Sequence, residues 1–280
     1  MKKSSSIILT VFMILILICV SGLIFAVNFG VDLEFLQVPQ KPTDVEINEP
    51  SQEKPQPELT DDQRAQRIDE IDKILNDELL VLVNAENGLD SDDEPEEFMT
   101  IEGYRLDKTA GEQLKKMLTD MRAAGYNTMT IYSAFRNYAK QESNFNNKIN
   151  QYVNKGYDRE TAEEMAATIV NPPGKSEHQT GLAADICTSE LVNQYGSLPE
   201  QFAETEAYNW LYEHCSEYGF VLRYPEDKEE ITGITFEPWH YRYVGVDYAK
   251  EIMSKKICLE EYISQLKIEK QTLTDKKESK

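Results

Sequence analysis

The chain has 280 residues, and its 50 acidic against 29 basic side chains give a formal net charge of −21. A partner with a phosphate backbone requires a concentrated basic surface, so nucleic acid is not an expected partner. The four cysteines include no CxxC pair and therefore do not indicate a zinc ribbon. An oxidising exterior would permit a disulfide between Cys187 and Cys215.

Residues 1–27 are predicted to anchor the chain in a membrane. Lys2 and Lys3 precede an almost unbroken apolar run from Ile7 to Val27, which matches the ~20 residues that a helix needs to cross a bilayer. The apolar part of a cleavable signal peptide is shorter, about 7–15 residues, so an uncleaved single-pass anchor is favoured. The positive-inside rule then places the rest of the chain outside the cytoplasm.

The remaining chain divides into three parts by composition. Residues 28–59 are acidic and rich in proline, and such a segment is expected to be a disordered spacer because it cannot bury enough apolar surface to fold. Residues 60–268 are predicted to form one domain, and residues 269–280 a polar, disordered tail. We expect the protein to be a monomer.

Within residues 60–268, the predicted strands are 79–83, 128–133, 182–186, 220–223 and 231–236. The first predicted helix has capping-box spacing at Thr109 and Glu112 and ends at Gly125. Its apolar stripe consists of Leu114, Met117, Leu118 and Met121. The later predicted helices are 137–154, 160–169, 205–218, 246–254 and 259–266. Because the elements lack a regular βαβ alternation, the pattern favours an α+β fold.

Two of the three histidines lie in motifs with acidic neighbours, His178 in SEHQTGLAAD and His240 in EPWHYR. A catalytic zinc site uses three protein ligands and leaves a fourth position open, and His178, Asp185 and His240 would make such a set. A fully extended chain would separate His178 from Asp185 by about 23 Å. The chain must therefore turn between them, and Gly181 is the position where a turn costs least. The third histidine, His214, is expected to be structural.

Glu237 lies three residues before His240, and positions three apart on a regular strand face opposite sides. Pro238 removes a backbone donor and restricts the conformation of Glu237, which predicts a break in the strand at this point. We expect Glu237 not to bind the metal. Its expected role is to accept a proton from the attacking water and pass it to the leaving amine, as general base and then acid.

These motifs, together with Ser133-Ala134-Phe135-Arg136 upstream, resemble the VanY-type D-alanyl-D-alanine carboxypeptidases, a branch of the M15 zinc peptidases. The resemblance covers roughly residues 80–262. It implies a small, mostly antiparallel sheet flanked by helices, as in hedgehog and DD-peptidase-like folds. It also implies one zinc ion and a catalytic carboxylate, which match His178, Asp185, His240 and Glu237.

By the same resemblance, Arg136 matches an arginine that binds the substrate or its developing oxyanion, for which a planar guanidinium is suited. Gln141 and Ser176 match positions that help to hold the terminal part of the substrate. Trp239 is a further candidate substrate contact, although its aromatic area alone would justify burial. Glu177 is expected to be a solvated neighbour of the motif.

The function implied is metal-dependent hydrolysis of the terminal D-alanine from peptidoglycan stem peptides by a membrane-tethered, extracytoplasmic enzyme. One alternative is L,D-carboxypeptidase activity on the shortened tetrapeptide stem, because the same motifs serve both reactions. A second alternative is a wall-binding or sensing module without turnover. Glu237 argues against that alternative, because a binding module has no need of a general base.

Overall fold

The structure, a computed structural model, describes residues 59–278. The predicted membrane anchor and almost all of the predicted spacer lie outside these residues. Within the described part of the chain, no helix combines the length and the apolar character needed to cross a membrane. These described residues belong to one compact unit.

The structure contains α-helices, short strands and 3-10 turns, which confirms the predicted α+β class. The strands are β1 (Phe98–Ile101), β2 (Tyr104–Asp107), β3 (Met129–Ser133), β4 (Ala183–Thr188), β5 (Phe220–Leu222) and β6 (His240–Tyr243). The helices are α1 (Asp61–Leu75), α2 (Lys108–Ala123), α3 (Tyr138–Val153), α4 (Arg159–Ala167), α5 (Ser189–Tyr195), α6 (Glu206–His214), α7 (Glu229–Thr232), α8 (Val246–Lys255) and α9 (Leu259–Glu278). The 3-10 turns are Glu78–Leu80, Glu177–Thr180, Glu200–Glu204, Cys215–Tyr218 and Glu226–Lys228.

The strands form two small antiparallel sheets. β1 and β2 make a hairpin, and the second sheet has four strands in the order β3-β4-β6-β5. Because side chains alternate along a strand, this second sheet has two different faces. The apolar face belongs to the main core and carries Ala184, Ile186, Phe220, Leu222, Tyr241 and Tyr243. Alternation places the intervening residues on the other face, among them Ala183, Asp185, His240 and Arg242.

Helix α2 covers the apolar face of the sheet, as its sequence pattern predicts. All four residues of the predicted stripe are buried in the same core as the sheet. The N-cap of the helix is Asp107, two positions before the predicted cap Thr109, and Asp107 Oδ1 accepts hydrogen bonds from the N–H groups of Thr109 and Ala110 at 2.9 and 3.1 Å. An aspartate at this position satisfies two of the free N–H groups of the first turn.

The prediction of a disordered tail from residue 269 is wrong for the described residues, since α9 continues to Glu278. Leu266 and the partly buried Leu273 belong to an apolar cluster that also contains Ile71 of α1. Arg67 of α1 also donates to Glu269, with 2.8 Å between Nε and Oε1. Packing against α1 therefore stabilises a helix that its polar sequence alone does not predict.

The predicted strand at 79–83 is also wrong. Its first residues form a 3-10 turn in which the N–H of Leu79 donates to Asp77 Oδ1 at 2.9 Å. The carbonyl oxygens of Leu79 and Val81 both accept from Arg242 Nη2, each at 2.9 Å. A buried guanidinium therefore satisfies these backbone groups in place of a neighbouring strand.

The predicted strand at 231–236 is wrong for a local reason. Helix α7 occupies its beginning, and Gly233 ends the helix with a φ of +74°. The N–H of Phe236 then donates to Glu229 Oε1 at 2.7 Å, which ties the segment back to the helix. The apolar residues of this segment therefore lie in and just after a short helix, and they do not form a strand.

The disulfide that the sequence would permit does not form. Cys187 and Cys215 are both buried, and each is a free thiol. Burial raises the pKa of Cys187 to about 11 and that of Cys215 to about 12, so both thiols stay protonated at neutral pH.

Candidate active site

The structure brings His178, Asp185 and His240 together, with one ligand atom from each residue lying within 4.8 Å of the others. His178 Nε2 is 3.3 Å from Asp185 Oδ2, and His240 Nδ1 is 2.9 Å from Asp185 Oδ1. All three residues are buried. The remaining histidine, His214, instead contacts the nearby Glu217 on the surface at 2.9 Å.

Sheet register positions two of these residues. Asp185 of β4 lies directly opposite His240, the first residue of β6. Residues facing each other across antiparallel strands have their side chains on the same face of the sheet. Asp185 is also paired with Ser133 of β3 on its other side, next to a bulge in β3.

A tight turn positions the third residue, His178. Its Nδ1–H donates to the carbonyl oxygen of Ala134 at 2.7 Å, which leaves Nε2 directed at Asp185. Gly181 follows with a φ of +69°, as the sequence predicts for the turn between His178 and Asp185. A Cβ atom at Gly181 would lie 2.7 Å from the backbone nitrogen of Asp107, so the close approach also requires glycine.

The three side chains fit a tetrahedral metal ion. Ligand atoms at about 2.0–2.2 Å from zinc lie roughly 3.3–3.6 Å from one another in a tetrahedron. The two histidine nitrogens lie 3.3 and 2.9 Å from different oxygens of Asp185. One atom from each of the three residues lies within 4.8 Å of the others, which is close enough for a single ion to reach all three. Two imidazoles and one carboxylate also form a typical ligand set for a catalytic zinc ion, with a fourth position left for water or substrate.

Glu237 lies beside this group because the chain turns sharply before β6. The N–H of His240 donates to the carbonyl oxygen of Glu237 at 3.1 Å, which closes a turn through Pro238. The predicted break in the strand is therefore present, and it brings Glu237 Oε2 to 3.6 Å from His240 Nδ1. Burial raises the pKa of Glu237 to about 7, so this carboxylate can exchange a proton near neutral pH.

The two histidines respond differently to the site. Burial lowers the pKa of His178 to about 4, with a further contribution from Arg136. Burial also acts to lower the pKa of His240, but its hydrogen bonds with Asp185 and Glu177 outweigh that effect and raise the pKa to about 9. Without a metal ion, the imidazole of His178 is therefore neutral at pH 7, whereas that of His240 is protonated on both nitrogens and positively charged.

Arg136 extends its guanidinium towards the same group of residues. Its Nη1 is 3.7 Å from Asp185 Oδ2 and donates to Ser133 Oγ at 2.8 Å. Its Nε donates to Gln141 Oε1 at 3.0 Å, and its Nη2 to Ser176 Oγ at 3.4 Å. About a fifth of the side chain, 21%, is exposed, so the guanidinium can still meet a ligand.

The other predicted substrate contacts are placed differently. Gln141 is buried, and its amide nitrogen donates to the carbonyl oxygen of Asn171, so it holds Arg136 in position. Trp239 lines the cavity above the site and packs partly against the main core. This cavity has a volume of about 420 Å³, and its lining includes Arg136, Asn144, Asn147, Lys148, Gln151, Ser176, Tyr224, Glu237 and Trp239.

Sequence reasoning missed the buried charges behind the site. The expectation that Glu177 is solvated is wrong, because its side chain is 0% exposed. It pairs with Arg223 and Arg242, and these two charges lower its pKa well below its usual range although burial acts to raise it. Arg242 could have been found, because it lies two residues after His240 and so shares its face of the strand.

Tyr224 was also missed. The ring centre of Tyr224 lies 4.9 Å from that of His240, and Tyr224 lines the cavity. Burial raises its pKa above the ordinary range, so the phenol stays protonated and can donate a hydrogen bond. A tyrosine just after a short predicted strand carries no distinctive spacing, and no signal in the sequence points to its position.

Comparisons with known proteins agree with this geometry. A family model described as VanY, D-alanyl-D-alanine carboxypeptidase, matches residues 103–246, which include all three motifs. A D-alanyl-D-alanine carboxypeptidase of Enterococcus faecalis is 38% identical over 185 residues, which are 66% of this chain and 65% of that protein.

Solved structures extend the likeness to the fold. A structure of a variant of the vancomycin resistance D,D-pentapeptidase VanY, in complex with Zn(II), is 36% identical with a TM-score of 0.56, and the match covers 66% of this chain and 98% of that chain. The LdcB LD-carboxypeptidase is 34% identical with a TM-score of 0.58, and the match covers 68% of this chain and 87% of that chain.

Proposed function

The chain belongs to the VanY family of D-alanyl-D-alanine carboxypeptidases, and we propose that it is a zinc-dependent D,D-carboxypeptidase that removes the terminal D-alanine from peptidoglycan stem peptides. The convergence of His178, Asp185 and His240 beside Glu237 carries this proposal. The enterococcal relative's described activity and the Zn(II) in the VanY structure support it.

One zinc ion is the proposed cofactor, held by His178 Nε2, an oxygen of Asp185 and His240 Nδ1. When bound, zinc supplies Lewis-acid polarisation of the scissile carbonyl and activates water at neutral pH. The protein contributes three buried ligands and an open side towards the cavity.

Glu237 is the proposed general base and then general acid. Its carboxylate lies beside the ligand set without being part of it, 3.6 Å from His240 Nδ1. Burial raises its pKa to about 7, which suits a group that accepts a proton from the attacking water and delivers it to the leaving amine.

Arg136 is proposed to bind the free carboxylate at the end of the stem peptide or to stabilise the oxyanion that forms during attack. Hydrogen bonds to Gln141, Ser133 and Ser176 fix the plane of the guanidinium before a substrate arrives. A fixed, planar pair of donors is suited to either role. Trp239 and the polar residues of α3 that line the cavity are placed to contact the rest of the peptide.

The test is digestion of purified stem peptides of defined length, with products identified by mass spectrometry. We expect the protein to convert pentapeptide stems to tetrapeptides with release of D-alanine. Release of D-alanine from tetrapeptides alone would overturn the D,D assignment in favour of the L,D activity described for LdcB. No release from either stem would favour a wall-binding module.

The proposed location is the outer face of the cell membrane, where peptidoglycan is found. The apolar run of residues 7–27 supports this proposal, because its length suits a single membrane span. Protease treatment of intact protoplasts should degrade the domain, whereas a protected domain would contradict the proposal. Gel filtration of the isolated domain tests the further expectation of a monomer.

A further inference from the structure

Glu177 is a fully buried carboxylate for which the proposed reaction has no direct use. It lies at the start of the 3-10 turn that carries His178, and its side chain is 0% exposed. Burying a carboxylate without partners is costly, so a buried one is expected to have partners that account for it. Its two oxygens face in different directions and meet different groups.

One oxygen of Glu177 accepts hydrogen bonds from two arginines. Oε1 lies 2.7 Å from Arg223 Nε and 2.8 Å from Arg242 Nη1, and both arginine side chains are 0% exposed. Arg223 also forms a two-bonded pair with Glu260, with distances of 2.8 and 2.6 Å. The two arginines and two glutamates together form a neutral group, buried except for part of Glu260, that holds Glu177 as an anion.

The other oxygen faces a proposed metal ligand. Oε2 of Glu177 is 3.6 Å from Nε2 of His240, and each of these atoms is buried with no other hydrogen-bond partner. The second nitrogen of the same ring, Nδ1, is directed at Asp185 at 2.9 Å. The imidazole of His240 is therefore held between two carboxylates, one on the metal side and one behind it.

We propose that Glu177 is a positioning residue for the metal site: it accepts the Nε2–H of His240, which fixes the ring and leaves Nδ1 to bind the metal. A carboxylate behind a metal-binding histidine sets the tautomer of the ring and raises its basicity as a ligand. The arginine pair keeps that carboxylate rigid and charged. This inference rests on the zinc site proposed above.

The backbone supports the arrangement on both sides. Arg242 follows His240 by two residues on β6, and its Nη2 donates to the carbonyls of Leu79 and Val81. The N–H of Arg223 donates to the carbonyl oxygen of His240 at 3.2 Å. Arg242 therefore comes from the strand that carries His240, and Arg223 is the residue just after the neighbouring strand β5.

The test compares Glu177→Gln with Glu260→Gln, each of which removes one carboxylate paired with Arg223. Only Glu177 faces His240, so only Glu177→Gln is expected to weaken zinc binding, by about 10–100-fold. Zinc affinity is measured by competition with a chelator, and melting temperature is measured on the metal-free proteins. Both variants are expected to melt at lower temperature. Equal losses of zinc affinity in the two variants, or no loss in Glu177→Gln, would overturn the proposal.

A second measurement needs no variant. Nitrogen-15 NMR of the histidine rings in the zinc-loaded wild-type protein reports which nitrogen carries the proton. We expect the proton of His240 on Nε2 and zinc on Nδ1, and the reverse assignment contradicts the proposal even if Glu177→Gln does not fold. A wild-type protein that binds no zinc at all would instead overturn the metal site itself.

Discussion

Asp185 and His240 lie directly opposite each other on neighbouring antiparallel strands, and their side chains approach to 2.9 Å. Strand register alone therefore brings together two of the three proposed metal ligands. A slip of one residue would turn Asp185 towards the apolar core, because strand side chains alternate between faces. The metal site thus depends on the pairing of β4 with β6.

Asp185→Ala should reduce zinc affinity by at least about 100-fold. Binding of a structural zinc ion contributes about 10–16 kcal/mol, so the loss of one of three protein ligands is expected to cost at least about 3 kcal/mol. Isothermal titration of the metal-free protein with zinc measures the loss. Asp158→Ala removes an exposed carboxylate that caps α4 and serves as the control, because it should leave zinc affinity unchanged. If Asp185→Ala reduced zinc affinity only slightly, Asp185 would not be a zinc ligand.

Glu237→Gln should abolish hydrolysis but stabilise the metal-free fold at pH 8. Burial raises the pKa of Glu237 from 4.5 to about 7. The folded state therefore holds this proton more tightly than the unfolded chain. The associated loss of stability begins as pH rises above about 4.5 and is complete above about 7. The shift corresponds to about 3 kcal/mol.

Glutamine mimics the protonated side chain and avoids this loss. Urea unfolding of both metal-free proteins at pH 4 and pH 8 measures the effect. The variant and the wild type should differ more at pH 8 than at pH 4. Equal differences at the two pH values would contradict the raised pKa of Glu237.

Zinc affinity should rise with pH between about 6 and 8. Burial lowers the pKa of His240, but hydrogen bonds with Asp185 and Glu177 raise it overall to about 9, so binding at Nδ1 must displace a proton. The expected slope is about tenfold in affinity per pH unit, and it should flatten above about pH 9. His178, whose pKa is lowered to about 4, is already neutral across this range. Calorimetry in buffers with different ionisation enthalpies counts the protons released, and a count of zero would contradict the expectation.

Gly181→Ala should destabilise the fold more than Gly196→Ala and should also weaken zinc binding. Both glycines have left-handed conformations, with φ of +69° and +73°, which cost an alanine about 1–2 kcal/mol. A Cβ at position 181 would also lie 2.7 Å from the backbone nitrogen of Asp107, whereas position 196 faces open space. Thermal melting and zinc titration of both variants separate the conformational cost from the displacement of His178. Equal effects in both assays would contradict the role given to this close approach.

Much of the site could be predicted because its reactive side chains are concentrated in two short stretches of the sequence. The two motifs contain every proposed ligand and Glu237, and Pro238 indicates the turn that brings Glu237 to the site. Strand alternation likewise accounts for Ala184 and Ile186 on the core side of β4 and for Asp185 on its other side. These features depend on neighbours within a few residues, for which spacing and residue type are informative.

Other features depend on partners far along the chain. The polar sequence after residue 268 folds as a helix because α1 packs against it, and α1 itself was assigned only to the domain as a whole. Glu177 was expected in solvent because its partners, Arg223 and Arg242, follow it by 46 and 65 residues. A charged residue is most often exposed, and only the fold reveals which one is buried with a counterion.

The two faces of β4 place neighbouring residues in different surroundings. Ala183 lies opposite Arg242 on the face that carries Asp185, whereas Ala184 lies in the apolar core. Both residues are fully buried, so a larger side chain at either position must displace its neighbours. At position 183 those neighbours include a charged group that holds Glu177, and at position 184 they are core side chains. Substitutions one residue apart therefore act on the support of the metal site or on the packing of the core.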